Sequence, residues 1–178
     1  RQISRLGAHF DPIVVALAPA WLVWPHPSLL LVVQAVAVAA GAPAVYMLAR
    51  KHLGSEWAGL SFALAYLLYP PTQWLVLDDF HPVALATPLL LWAVWFLDGD
   101  RLLAFGVMAA VAMTTKEQIG LVVAAIGLWY AFRPGRRRVG LVIAAAGTAV
   151  SLVAVLVVVP HFAPGGSSPF AGRYAEVG

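Results

Sequence analysis

The sequence predicts an all-α fold, a polytopic bundle of about six transmembrane helices with one further helix lying on the external face. Three observations predict it. Of 178 residues, 62% are hydrophobic and 11% charged, whereas a soluble domain is about half apolar and about a quarter charged. Mean hydropathy is +0.86. Nearly the whole chain falls into apolar blocks separated by short polar punctuation, and the basic residues gather in that punctuation. No stretch is left over for a soluble domain, so the chain reads as a single transmembrane domain. Residues 1–27 form an external interfacial helix and loop, 28–160 the bundle, and 161–178 an external loop.

The elements follow in order. Block 12–24 carries an internal Pro19 and is followed by "PHPS". It is too short to cross, and reads as an interfacial or re-entrant helix with Trp21 and Trp24 at headgroup level. Blocks 28–49 and 139–160 reach the ~20 residues that a span requires at 1.5 Å rise. Block 57–77 reaches that length only by running through Pro70 and Pro71. Blocks 83–97, 102–114 and 119–132 fall short of it. Residues 102–132 taken as one straight helix would be about 46 Å long, too long for a hydrocarbon core of about 30 Å. They read instead as a hairpin with its apex at "TTKEQ", 114–118. Short spans bring polar groups below the lipid surface, where they must face protein or a water-filled cavity. An internal polar pocket is therefore expected.

The basic clusters "ARKH" (49–52) and "RPGRRR" (133–138), with the weaker "DGDR" (98–101), set the orientation: all three face the cytoplasm. The six spans then alternate without conflict. His9, Asp11, Asp78, Asp79, His81, Lys116, Glu117, His161, Arg173 and Tyr174 all fall on the external side. Asp98 and Asp100 read as a solvated cytoplasmic turn.

Several classes are excluded. The absence of cysteine removes disulfides, thiolate metal sites and cysteine nucleophiles. A net charge of +3 and a pI near 9.6 arise from topology clusters and not from a nucleic-acid surface, so no nucleic-acid partner is expected. There is no Gly-rich phosphate loop and no Ser, His, Asp arrangement. With no initiator Met and no leader-like segment, the chain reads as an internal piece of a longer protein.

The densest chemistry is "LVLDDFHPVAL", 75–85. Asp79 fits an N-cap for a helix starting at Phe80 with Pro82 in its first turn, but capping needs one acid and here there are two plus an imidazole. Asp78 and Asp79 can act as general base toward a hydroxyl, or hold a divalent cation, Mg or Mn, through oxygen ligands. His81 can shuttle a proton or ligate a metal. Asp11 before Pro12 fits an N-cap, and His9 beside it carries no separate signal. Lys116 and Glu117 fit a hairpin tip that snorkels to the headgroups, or a cation and a carboxylate lining the pocket. Adjacent on a helix, they diverge by about 100° and do not pair with each other. In the Gly- and Ser-rich tail, Arg173 and Tyr174 fit either a solvated loop or an anion-binding guanidinium beside a stacking ring.

The ordered set "HFDPI", "YMLARKHLG", "LAYLLYPP" leading to "DFHP", "TTKEQ" and "FAGRYAEVG" resembles the uncharacterised prokaryotic family of predicted multi-pass membrane proteins known as domain of unknown function 2079. The resemblance covers essentially the whole chain. Two positions depart from its pattern: that family commonly has serine where Asp11 stands and an acid where Gln118 stands. The family is similar, more distantly, to the GT-C membrane glycosyltransferases, which take a sugar from a polyprenyl-phosphate carrier on the outer face of the membrane. The resemblance implies a GT-C-like bundle in the prokaryotic plasma membrane, with the lipid bilayer and a polyprenyl-phosphate-sugar donor as partners. It implies that Asp78 or Asp79 is the acid of the second external loop, with the first acid upstream of Arg1. In that reading Asp78, Asp79, His81 and Glu117 form the catalytic set, and Lys116, Arg173, Tyr174 and His9 bind substrate. The alternatives are a transporter or flippase of an amphiphilic solute, and an assembly subunit without chemistry.

Overall fold

In a computed structural model, residues 4–163 are described, and every regular element among them is helical. The chain falls into two compact units, one spanning Val14–Ala112 and the other built from the N-terminal segment up to Ile13 together with the chain from Met113 onward.

The first of these opens with a 3-10 turn, Pro12–Leu17, that runs into the short helix α1, Ala18–Val23. The half of block 12–24 expected as plain α-helix is thus 3-10 wound. Helices α2, Pro27–Ala39, and α3, Ala42–Leu53, follow each other so closely that Pro27–Leu53 makes one span of 27 residues, about 40 Å at 1.5 Å per residue. Its weak point is Ala40–Gly41. Pro43 has no N–H to offer the preceding turn, and here the ladder shifts so that Gly41 N–H donates to Val38 O and Ala44 N–H to Gly41 O. Two side chains serve the carbonyls at the shift: Tyr66 Oη donates to Val38 O at 2.7 Å and Trp92 Nε1 to Ala40 O at 2.9 Å. A Cβ at Gly41 would stand 2.7 Å from that Tyr66 hydroxyl, so glycine is what admits it.

Helix α3 ends in Arg50, Lys51 and His52, cations suited to the negative end of the helix dipole, and Gly54 takes the left-handed conformation at φ 67°. Ser55 then caps α4, Glu56–Leu68, by accepting the Ala58 N–H. The two helices form an antiparallel hairpin, with Tyr46 lying against Gly59, where a Cβ would be 2.7 Å from its ring. Tyr69 precedes a proline and is driven out of the α region, with ψ 121°. The helix therefore stops and restarts as α5, Pro70–Leu77, bent by 47° from α4. After a loop, a 3-10 turn at Pro82–Leu85 leads into α6, Ala86–Asp98, and then α7, Leu102–Met113.

The second unit is dominated by the hairpin of α8, Ile119–Ala131, and α9, Arg137–Val153. Its seam is made of small residues: Gly120, Ala124 and Gly127 face Gly140, Ala144, Gly147 and Ser151, all buried. A Cβ on Gly127 would lie 2.6 Å from Ala144 N, and one on Gly140 2.4 Å from Ala131 N. Backbones this close supply the dispersion contact that substitutes for a hydrophobic drive in lipid. Beyond α9 the turns widen into a π-helix, Ala154–Val158, before α10, Val159–Phe162. The wider turn takes up Pro160, whose ring collides with the carbonyl four residues back in a regular α-helix.

Two helices, Pro27–Leu53 and Arg137–Phe162, are long and apolar enough to cross a membrane, and a third span results if the bent pair Glu56–Leu68 and Pro70–Leu77 is one crossing. The remaining apolar helices are shorter. Gly127→Leu is expected to destabilise the α8–α9 hairpin by at least ~2 kcal/mol, toward the upper end for overpacking. Gly106→Ala, where a Cβ meets nothing within 4 Å, should be neutral or stabilising by up to about 1 kcal/mol. Reversible unfolding of both variants in detergent micelles checks the pair.

Candidate functional site

In the unit spanning Val14–Ala112, the "DDFHP" segment is a non-helical loop, bent at Asp78 and Asp79, between α5 and Pro82. Asp78 ends α5 at ψ −176°, and His81 is extended because it too precedes a proline. The next helical turn begins at Pro82 with His81 in the capping position and no side-chain cap. The expectation that Asp79 caps a helix from Phe80 is corrected accordingly.

What holds the loop is a residue the sequence reading passed over. Gln34, fully buried on α2, donates from Nε2 to Leu75 O at 2.6 Å and, more weakly, to Asp79 O at 3.5 Å. Its Oε1 accepts the His81 N–H at 2.9 Å. One amide thus serves two carbonyls and one N–H of a non-helical segment. Gln34 sits seven residues into α2, so the loop packs about 10 Å along that helix from its start. The available signal was a lone glutamine inside an apolar span, where a polar side chain costs free energy unless it bonds to something.

Asp78, Asp79 and His81 are all exposed. His81 Nδ1 lies 2.6 Å from Asp79 O, and since a carbonyl only accepts, Nδ1 carries the proton of the neutral ring. The lone pair is left on Nε2. A cleft of about 510 Å³ runs beside α5, walled by Pro70, Pro71, Trp74 and Val83, with Asp78 and His81 as the ionisable side chains on its lining. A second cleft of about 430 Å³ follows Thr72, Gln73, Val76 and Leu77 on the opposite face of the same helix. Asp79 lines neither.

The other unit gathers His9, Glu117 and Asp11. Glu117 Oε2 accepts the Phe10 N–H at 3.1 Å, and Oε1 lies 3.5 Å from His9 Nδ1. Ser151 Oγ donates to Glu117 O at 2.7 Å, and Ile13 N–H to Thr114 O. The segment from Thr114 to Glu117 therefore grips the N-terminal segment. Asp11 is buried, with Oδ2 receiving Arg5 Nε at 2.8 Å and Nη2 at 2.7 Å. Its carboxylate serves an ion pair, and the residue directly precedes the 3-10 turn that begins at Pro12. Lys116 is half-buried and makes no ion pair among the described residues. Arg173 and Tyr174 lie outside the described residues.

The turn after α6 also differs from expectation. Asp98 is buried, its Oδ2 accepting from Lys51 Nζ at 2.6 Å and His52 Nε2 at 2.9 Å. It is a partner of the basic end of α3 and not a solvated turn residue, which brings "ARKH" and "DGDR" to the same end of this unit. For a metal, Asp78 and Asp79 offer adjacent carboxylates, but no group of three or more His, Cys, Asp or Glu able to hold an ion occurs among the described residues.

Long apolar helices, with their few polar side chains spent on helix breaks and chain crossings, define a helical membrane protein. The chain belongs to the family described as "Predicted membrane protein (DUF2079)", whose model matches residues 1–178. No curated protein and no solved structure matches it.

If Glu117 tethers the N-terminal segment, Glu117→Ala should speed amide exchange at Phe10 by about 10- to 100-fold, as loss of a bond to a charged acceptor of about 1.5–3 kcal/mol implies. Glu117→Gln, which retains an acceptor oxygen, should change it far less. Hydrogen exchange read by mass spectrometry in nanodiscs decides; equal rates in wild type and Glu117→Ala would remove the tether.

Proposed function

We propose that this chain is the core of a multi-pass membrane glycosyltransferase of the GT-C type, which takes a sugar from a polyprenyl-phosphate carrier at the external face of a prokaryotic cell membrane. The observation that carries this reading is the cleft along α5. Its proline and tryptophan walls suit an isoprenoid chain, while Asp78 and His81 bring acid–base chemistry to the same hollow. A transferase acting on a lipid-linked donor needs both in one place.

In this mechanism the acceptor hydroxyl attacks the anomeric carbon as the bond from that carbon to the phosphate oxygen breaks. The hydroxyl proton passes to His81 Nε2, oriented by the Nδ1 bond to Asp79 O. The Asp78 carboxylate positions the acceptor. The electron pair leaves with the phosphate, whose developing charge calls for a cationic partner at the same site. Neutralising charge on a departing group is usually the largest catalytic contribution.

The test is incorporation of labelled sugar from a polyprenyl-phosphate donor in membranes of the complete protein. Asp78→Asn and His81→Gln should each lower it by ~100-fold or more, the scale of general acid–base catalysis, with insertion intact. Full transfer in both variants would end the proposal. The 47° break between α4 and α5 favours a second reading, transport, because broken helices form solute sites in transporters. Solute flux in proteoliposomes without any sugar transfer would select it.

The proposed six-span topology has a separate test, which the natural absence of cysteine makes clean. Single cysteines at Ser55 and Arg136 should react with an impermeant maleimide only from the cytoplasmic side, and those at Asp79 and Glu117 only from outside. Labelling of positions 79 and 117 from opposite sides would overturn it.

A further inference from the structure

We propose that Gln34 is a positioning residue that sets the tautomer of His81, holding its imidazole with the proton on Nδ1 and the lone pair on Nε2. The inference deepens the reading of His81 as a proton acceptor, on which its catalytic consequence rests, but the tautomer itself is a property of the folded chain.

The argument starts from the acceptor. Asp79 O takes a bond from His81 Nδ1 at 2.6 Å, and the same oxygen is within 3.5 Å of Gln34 Nε2. The backbone on the other side of the ring is held as well, since His81 N–H donates to Gln34 Oε1 at 2.9 Å. A third bond, from Gln34 Nε2 to Leu75 O at 2.6 Å, fixes the amide against the end of α5. The peptide that offers the carbonyl and the residue that carries the ring are therefore both referenced to one buried side chain. A primary amide is suited to this because it donates and accepts at once without charge. A carboxylate cannot donate to Leu75 O, and an apolar side chain does neither.

The consequence is chemical. In a neutral imidazole only one nitrogen is an acceptor, and which one is set by the bond the other makes. With Nδ1 committed to a carbonyl, Nε2 becomes the basic atom, and His81 is on the lining of the α5 cleft. Were the loop released, the ring would be free to take the Nε2–H form, which presents a donor where the reaction requires an acceptor.

The experiment is histidine-selective nitrogen-15 NMR of the full chain in nanodiscs, at a pH where imidazoles are neutral, with His81 assigned from the spectrum lost in His81→Gln. Wild type should show a protonated Nδ1 and an unprotonated Nε2. Gln34→Met, which keeps the side-chain length and removes the polar atoms, should lose that single form and show Nε2–H. Wild type with Nε2–H, or folded Gln34→Met with the wild-type pattern, would overturn the proposal. If Gln34→Met does not fold, the wild-type spectrum and Gln34→Ala decide, since the truncated variant removes both the donor and the acceptor without overfilling the site; a preserved Nδ1–H form in folded Gln34→Ala would again count against it. A confirmed tautomer combined with full sugar transfer by His81→Gln would sink the transferase reading while leaving this inference standing.

Discussion

A hydrocarbon environment offers backbone groups no water, so every N–H and C=O that leaves a helix ladder must find a partner inside the protein. The arrangement of this chain follows from that constraint. Where its ladders are interrupted, a polar side chain on a neighbouring element closes the gap: Tyr66 and Trp92 at the shift near Ala40, Gln34 along the loop after α5, Ser151 at the head of α8, and Glu117 on the Phe10 amide. Polar residues are few in so oily a chain, and of the buried ones Gln34 and Ser151 are committed in this way while Asp11 and Asp98 are held in ion pairs. The same constraint separates structural polar groups from candidates for chemistry. A side chain already bonded to backbone has work to do; exposed Asp78, bonded to nothing through its carboxylate among the described residues, is available.

The interruptions have identifiable causes in the sequence. Prolines at 43, 70, 82 and 160 each remove a donor or displace the preceding residue from the α region, and each coincides with a shift, a bend, a helix start or a π-turn. Glycines act differently. In the α8–α9 hairpin they let two backbones meet, so that pair is held by close contact along its seam, with a side-chain bond from Ser151 to Glu117 O at its end. The Val14–Ala112 unit relies instead on capped turns and polar bridges. Two ways of packing helices in oil thus occur in one chain, each legible from whether the punctuating residue is glycine or proline.

Much of the architecture was open to reading from the residues: the helical blocks, the break at Pro70 and Pro71, the interruption of helix at 114–118 and the shared end of the "ARKH" and "DGDR" clusters all follow from hydropathy, proline chemistry and charge. Membership of the family was likewise legible from its ordered motifs. The failures share one cause, which is that burial of a polar group depends on a partner distant in sequence. Asp98 looks like a loop residue until Lys51 and His52 are brought beside it. Asp79 looks like a cap because the local pattern fits, but it contributes its backbone carbonyl while its side chain stays exposed, and the pairing of Asp11 with Arg5 is likewise invisible in the local pattern. Gln34 was present as a single polar interruption in an apolar span, and its three partners lie more than forty residues downstream.

This last arrangement resolves the paired acids. Of the two adjacent carboxylates, Asp78 belongs to the lining of the cleft along α5 and Asp79 does not. The peptide oxygen of Asp79 accepts from the His81 ring. Asp78 and His81 lie three positions apart, and Gln34 anchors the backbone at Asp79 and His81. A charged anchor would not serve at that depth. An ionised side chain buried on α2 would have to be paired or bear a desolvation cost far above that of an amide, and an amide alone among neutral groups of its length satisfies donor and acceptor together.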